Sequence, residues 1–269
     1  MKQIVITLLL TTLTASAANA DTIKIGGSGS MIPLMTTMGK AYVKKNPKDT
    51  VDVNQKSMGQ PGGIAALNAG AVDIAMSAMP ITAEQSKLQV EPFEIAKVAG
   101  VVAVNSSVTA TNLTSQQLCD IYAGKIKNWK QVGGSDAPIA VFTRPESDST
   151  KQMFRKALAC MNNLKEAPEI LNLPKSADMF NTLGATKNSI GPVDSIALGD
   201  AAGKFKEIKI DGKGHDQMTS GGWPFVLKNN LVLKKNSSEA VKRFMNFIKS
   251  PEGQAVIKSE KAVPTQFKF

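Results

Sequence analysis

The 269-residue chain has one histidine, two cysteines and only 5% aromatic residues, and each shortage excludes a kind of chemistry. His215 stands alone in Lys213-Gly214-His215-Asp216, which reads as an exposed loop, so no base is at hand for a serine or cysteine nucleophile. No Cys-x-x-Cys and no Cys/His cluster has the spacing of a zinc site, and no metal or cofactor is expected. No paired-carboxylate motif suggests general acid–base work. The aromatics are not interleaved with basic residues as in a nucleic-acid groove. Arginine is scarce as well: Arg144, Arg155 and Arg243 stand among 32 basic residues, so lysine supplies the general charge.

That charge, +10 at neutral pH, is spread along the chain in runs such as Lys44, Lys45 and Lys48 or Lys204, Lys206 and Lys209. A diffuse positive field suits solubility or the capture of small anions. Residues 1–20 have the form of a signal peptide, with Lys2 at the start, an apolar run from Ile4 to Leu13 and a small-residue cleavage site at Ala18-Asn19-Ala20. The apolar run is too short to anchor the chain, and no later segment is apolar enough to span a bilayer. A soluble protein exported to a bacterial periplasm is expected. Cys119 and Cys160 would then meet an oxidising compartment, as a disulfide or as two buried thiols.

The pattern along the chain is α/β. Strands are expected at Thr22–Ile25, Val51–Gln55, Val72–Met76, Ala99–Val104 and Ser189–Val193, and again at Pro224–Leu227 and Leu231–Leu233. A helix near Met31–Pro33 carries Leu34, Met38 and Tyr42 on one face. Thr114-Ser115-Gln116-Gln117 has capping-box spacing, and the helix after Asp148 presents Met153, Phe154, Ala157, Leu158 and Met161 inward. The last helices are expected near Ser238–Lys249 and Glu252–Glu260.

Three turns rich in glycine or hydroxyls follow a strand and open a helix: Gly26–Met31, Gly59–Gly63 and Arg144–Thr150. Ligands of open α/β sheets bind beyond the strand C-termini, where helix N-termini present free N–H groups. The third turn is the most informative. Arg144 offers a planar fork of donors at a strand end, and Ser147-Asp148-Ser149-Thr150 puts hydroxyls and amides at a helix start. It reads either as a catcher of tetrahedral anions or as an ordinary N-cap behind a surface arginine.

Over nearly its whole length after residue 20 the chain resembles the periplasmic phosphate-binding proteins of ABC importers, a branch of the type II solute-binding fold. The most specific stretch is Leu113 to Trp129, followed by Val132-Gly133-Gly134 and the arginine motif. Gly27–Pro33, Gly59–Pro80, Ile190-Gly191 and Ser250–Ala255 support it. The resemblance implies two α/β lobes joined by hinge strands and closing on one anion. It carries the ligand contacts onto the Ser30 hydroxyl, the Met31 N–H, Arg144, the Ser149 N–H and the Thr150 hydroxyl. Three positions depart from it: Gln60 replaces a serine but keeps an amide donor, Ala78 replaces a carboxylate or hydroxyl, and Asp148 replaces a serine. Asp148 either faces the cleft, where it would accept a proton from phosphate and repel sulfate, or caps its own helix.

The expected molecule is therefore a non-enzymatic, monomeric solute-binding protein with lobe one at 21–104 plus 226–269 and lobe two at 105–225. It would hold an inorganic oxyanion, most simply phosphate, for an ABC permease in the inner membrane. The alternatives are a ligand-presenting sensor subunit, an exported phosphoryl-transfer enzyme, or an adhesion protein without ligand affinity.

Overall fold

The computed structural model describes residues 21–269, and the expected signal peptide at 1–20 lies outside the described residues. The first elements are β1 (Thr22–Gly27), α1 (Ile32–Lys45), β2 (Thr50–Val53), α2 (Gly59–Asn68) and β3 (Ile74–Ser77). They keep the strand, turn, helix rhythm of the sequence, and β1 runs parallel to both β2 and β3. A 3-10 turn at Gly29–Met31 leads into α1, which tolerates Pro33 in its first turn because the missing N–H has no partner there. Leu34, Met38 and Tyr42 are fully buried on one face, as their spacing predicts.

After the single turn of α3 (Ala83–Ser86), β4 (Val90–Asn105) runs for 16 residues. Only its apolar end, Ala99–Val104, reads as strand in the sequence. The Val90–Lys97 part mixes exposed and half-buried charged positions and includes Pro92, which weakens the strand pattern. The middle of the chain adds β5 (Asn112–Leu113), α4 (Ser115–Tyr122), β6 (Ala140–Thr143), α5 (Ser149–Ala157), β7 (Leu171–Asn172), α6 (Ser176–Ala185) and β8 (Ser189–Asp194). There follow α7 (Ser195–Gly199), β9 (Phe205–Glu207) and β10 (Lys209–Ile210). The chain returns through β11 (Val226–Lys234), α8 (Glu239–Lys249), α9 (Pro251–Ser259) and β12 (Val263–Pro264).

The main sheet has the order β2-β1-β3-β11-β4-β8-β6-β7, with β9 and β12 also pairing along β4. Two strands are expected near Phe225 and Val232, but one strand, β11, spans both. Its register shifts at Asn229/Asn230, and this bulge places two consecutive buried polar residues where the sequence reads as a break. β4 pairs with β11 over Val90–Ala99 and with β8 over Gly100–Val104. Its change of partner at Ala99/Gly100 divides the sheet into two halves; the boundary expected at Val104/Asn105 lies at the far end of the same strand.

Gly100 sits at that division. Its N–H donates to Phe225 O at 2.8 Å and its carbonyl accepts from Trp223 Nε1 at 2.9 Å. A Cβ there would run into the Met153 side chain of α5. Phe225 meets Trp223 and Phe154 edge-on or tilted, with centroids 4.8 and 4.7 Å apart, so the middle of α5 is packed directly on the crossing. Both tryptophans are core residues, Trp129 donating its Nε1–H to Asn188 O at 2.9 Å.

Two details differ from the sequence reading. α5 ends at Ala157, and Met161 lies with Cys160 in a separate 3-10 turn, Ala159–Met161. His215 lies in another 3-10 turn, half-exposed, with Nδ1 2.7 Å from Glu207 Oε2. Between the two thiol states left open by the sequence, the structure has the disulfide: Cys119 on α4 is joined to Cys160 across 6.1 Å between Cα atoms. A bridge closing a separation of 41 residues restricts the unfolded chain by about 4 kcal/mol in the chain-entropy picture. Replacing both cysteines by serine should therefore lower the unfolding free energy measured in urea by an amount of that order. An unchanged value would show that the bridge does not constrain the unfolded chain.

A candidate anion site between the two halves

β6 delivers Arg144 to the C-terminal edge of the sheet. The guanidinium is buried, with its side chain only 7% exposed. Nε and Nη2 both donate to Asp148 Oδ2, at 3.1 and 2.8 Å. Nη1 donates to Leu173 O at 2.8 Å and Nη2 to Ser176 Oγ at 3.2 Å. The other carboxylate oxygen, Oδ1, accepts the Thr150 and Lys151 N–H groups at 3.0 and 3.1 Å and so caps α5. Asp148 thus takes the capping role, and its second oxygen neutralises Arg144 instead of standing free in the cleft. The pair contributes almost no net charge, so an anion arriving here meets oriented dipoles more than a bare cation.

The opposing wall is the first turn. Ser28 N–H donates to Met76 O at 3.0 Å, and Ser28 Oγ accepts the Ala78 N–H at 3.3 Å, which ties the turn to the end of β3. Gly27 has φ +143°, and α2 comes so close that a Cβ on Gly63 would lie 2.6 Å from Gly27 Cα. Only glycine permits that approach of helix to backbone. The Gly29 and Ser30 N–H groups have no acceptor among the described residues. The Ser30 hydroxyl is buried and has no hydrogen-bond partner among the described residues, an arrangement that costs stability unless a ligand completes it.

The walls approach each other closely. A Cβ built on Gly29 would lie 3.7 Å from Oγ of Ser176, the same oxygen that accepts from Arg144. Through Ser176 the structure sets the turn that carries Ser30 in one half beside the Arg144–Asp148 pair of the other, where Ser149 and Thr150 open α5. Ser149 opens α5, and its N–H has no acceptor among the described residues. Met31 is buried in the same turn as Ser30, but its N–H donates to Ser28 O at 3.1 Å. Gln60 is turned elsewhere, its Nε2 donating to Pro80 O at 3.1 Å and Gln85 Oε1 at 3.3 Å. Ala78 is buried and offers only backbone.

Several contributors escape sequence reading. Ser28 and Ser176 are common residue types in loop and helix-start positions, and nothing local marks them. Lys151 did carry a signal. A lysine in the first turn of a helix opposes the helix dipole, which points to paired charge. Lys151 is in fact 7% exposed and pairs with Glu146 and Glu166, both at 2.9 Å. Arg155 joins them through Glu146 at 2.8 Å, and Thr143 Oγ1 donates to Glu166 at 3.0 Å. A cavity of about 20 Å³ is lined by Thr143, Lys151, Arg155 and Glu166 among others, and buried Arg155 Nε has no partner. This network braces the back of α5.

Asp194, at the end of β8, is a further buried acid. Oδ1 accepts the Ala197 N–H at 2.8 Å. Burial pushes its carboxyl up to about 6; the Asp148 carboxylate adds to the rise, while the Ala197 N–H and Arg144 oppose it. Among the described residues no group of three or more His, Cys, Asp or Glu side chains could hold a metal ion, and no helix is long and apolar enough to cross a membrane.

Comparison with known proteins finds relatives over most of the chain. The PBP superfamily domain matches residues 12–252. The phosphate-binding protein PstS of Bacillus subtilis is 26% identical over 245 residues, covering 88% of this chain and 78% of the relative. That of Borreliella burgdorferi is 25% identical over 276 residues, covering 97% and 98%. A Clostridium perfringens protein assigned to phosphate ABC transport, solved with phosphate bound, superposes with a TM-score of 0.83 at 25% identity, covering 91% of this chain and all of that one. An ABC-type phosphate transport receptor of Vibrio cholerae gives 0.70 at 26% identity, covering 90% and 99%.

The Asp194 carboxyl generates a stability prediction. Its native pKa lies above the unfolded value, so its favourable contribution is complete below about pH 4 and is lost as pH rises through 6. Asp194→Asn keeps a side-chain cap for α7 and removes the buried charge. It should match the wild type near pH 4 and exceed it by about 2–3 kcal/mol at pH 7, from the shift converted at 1.36 kcal/mol per unit. Urea unfolding across that range measures it, and a variant less stable at pH 7 than the wild type would contradict it.

Proposed function

This chain belongs to the PBP superfamily, and from that premise we propose that it captures phosphate between its two lobes and passes it to an ABC permease. The observation that carries the reading is the buried, partnerless Ser30 hydroxyl, with open Gly29 and Ser30 N–H groups, set close to the Arg144–Ser176 side of the site. A tetrahedral oxyanion supplies the missing acceptor for these donors and for the Ser149 N–H. Thr150 adds a hydroxyl at the same helix start. Neutral donors around a balanced Arg144–Asp148 pair replace the anion's water, and its charge is solvated by oriented dipoles.

The lobes cross where β4 changes partner at Ala99/Gly100 and where β11 begins at Val226. Closure about that crossing brings Ser30 to α5, and opening releases the anion. Phosphate leaves as it entered, since the donors hold the ligand and no nucleophile or base attacks it. Export follows from the leader-like residues 1–20, with the permease partner on the outer face of the inner membrane.

Titration calorimetry tests the reading. Phosphate should bind with a dissociation constant in the micromolar range or below. Ser30→Ala should weaken it ten- to a hundredfold, the range for a lost bond to a charged group, while raising the stability of the ligand-free protein by about 1 kcal/mol. Arg144→Lys keeps the charge but not the fork, and should also weaken binding. Sulfate or molybdate binding more tightly than phosphate would contradict the assignment.

A further inference from the structure

A guanidinium has five N–H bonds, and Arg144 commits four of them inside the protein. Nε and Nη2 hold Asp148 Oδ2, Nη1 holds Leu173 O, and the second Nη2 bond goes to Ser176 Oγ at 3.2 Å. The one bond left lies on the nitrogen that Leu173 O already holds. While it keeps these partners, Arg144 has no two-pronged grip to offer an anion. The contact that leads from it toward the opposite half is Ser176.

Ser176 is the first residue of α6 and is exposed. Its hydroxyl accepts from Arg144 and makes no other hydrogen bond among the described residues, so its own proton is uncommitted. It faces the first turn of the other half. A Cβ on Gly29 would lie 3.7 Å from Ser176 Oγ and would collide with Ser57, 2.8 Å away. Glycine keeps that gap open, and the Gly29 and Ser30 N–H groups beside it have no acceptor among the described residues. α6 adds to the donors here. Lys175 at its N-cap supplies no side-chain cap, so the ten-residue helix leaves the positive end of its dipole open at Ser176.

We propose that Ser176 is a ligand-binding residue of the anion site, donating its hydroxyl proton to the bound oxyanion and relaying to it the charge of Arg144, which stays on Asp148. The inference rests on the phosphate-binding reading above. A hydroxyl that accepts from a charged donor is polarised and donates more strongly in turn. The anion thereby feels the arginine without breaking the buried pair, whose rupture would leave Asp148 uncompensated. Ser176 also supplies a donor where Gln60 does not, since the Gln60 amide is engaged by Pro80 and Gln85. Ser30 and Ser176 belong to opposite halves, so an anion bound by both hydroxyls ties the halves together.

Calorimetric titration of phosphate into the wild type, Ser176→Ala, Ser176→Thr, Arg144→Lys and the double variant Ser176→Ala with Arg144→Lys tests this, with thermal melting to verify folding. Ser176→Ala should weaken binding about tenfold or more, the scale of one hydrogen bond to a charged group. Ser176→Thr keeps the hydroxyl and should recover most of that loss. Because the arginine reaches the anion through the serine, the double variant should bind within about threefold of the weaker single variant. A crystal structure of the wild type with phosphate should place a phosphate oxygen within hydrogen-bond distance of Ser176 Oγ, a result that stands whether or not every variant folds. Wild-type affinity in Ser176→Ala, losses that multiply in the double variant, or phosphate bound out of reach of Ser176 Oγ overturns the inference alone. Absence of phosphate binding by the wild type overturns the functional reading and the inference together.

Discussion

The carboxylate of Asp148 is the contact on which the anion site depends. One oxygen holds the first turn of α5 by two backbone amides, and the other grips the Arg144 guanidinium through Nε and Nη2. With Nη1 on Leu173 O and Nη2 shared with Ser176, the arginine in turn fixes the ends of β7 and α6. Strand end, helix start and neighbouring loop therefore form one unit around a buried ion pair. Such a pair adds little net stability against an apolar substitute, but losing either partner leaves a buried charge uncompensated. Its value here is placement: it orients donors before any ligand arrives, so little ordering remains to oppose binding.

Because Asp148 already balances Arg144, the proposed recognition of an anion rests on dipoles more than on a free cation. The Ser30 wall provides a hydroxyl and two amides that no group among the described residues satisfies, and its geometry depends on the close approach of Gly63 to Gly27. The Ser149 wall provides an amide at the positive end of a nine-residue helix. Met153 and Phe154 of that helix pack against Gly100 and Phe225, at the place where the two halves are joined. The proposed ligand contact and the strand crossing therefore share one helix, and on that reading occupancy of the site is coupled to the relative position of the halves.

Much of this was legible in the sequence because it is local. The α1 face follows from helical spacing, the α4 box from Thr114 and Gln117, and the three helix starts from glycine and hydroxyl content after apolar runs. Asp148 was legible in type but not in role, since a cap and a cleft residue look the same in sequence; the choice was made by Arg144 four residues earlier in chain and next to it in space. Gln60 looked like a donor, but Pro80 and Gln85 take its amide across twenty residues or more of chain. The single long β11 was hidden by the bulge at Asn229/Asn230, and the first half of β4 by its charges and Pro92.

A crystal structure of the mature protein grown with phosphate tests the central arrangement most directly. The expected result is one phosphate between the halves, within hydrogen-bond distance of Ser30 Oγ and the Ser149 N–H, with Arg144 still on Asp148. Phosphate bound elsewhere, or an Arg144 side chain turned into bulk solvent with the space beside Ser30 unfilled, would contradict it.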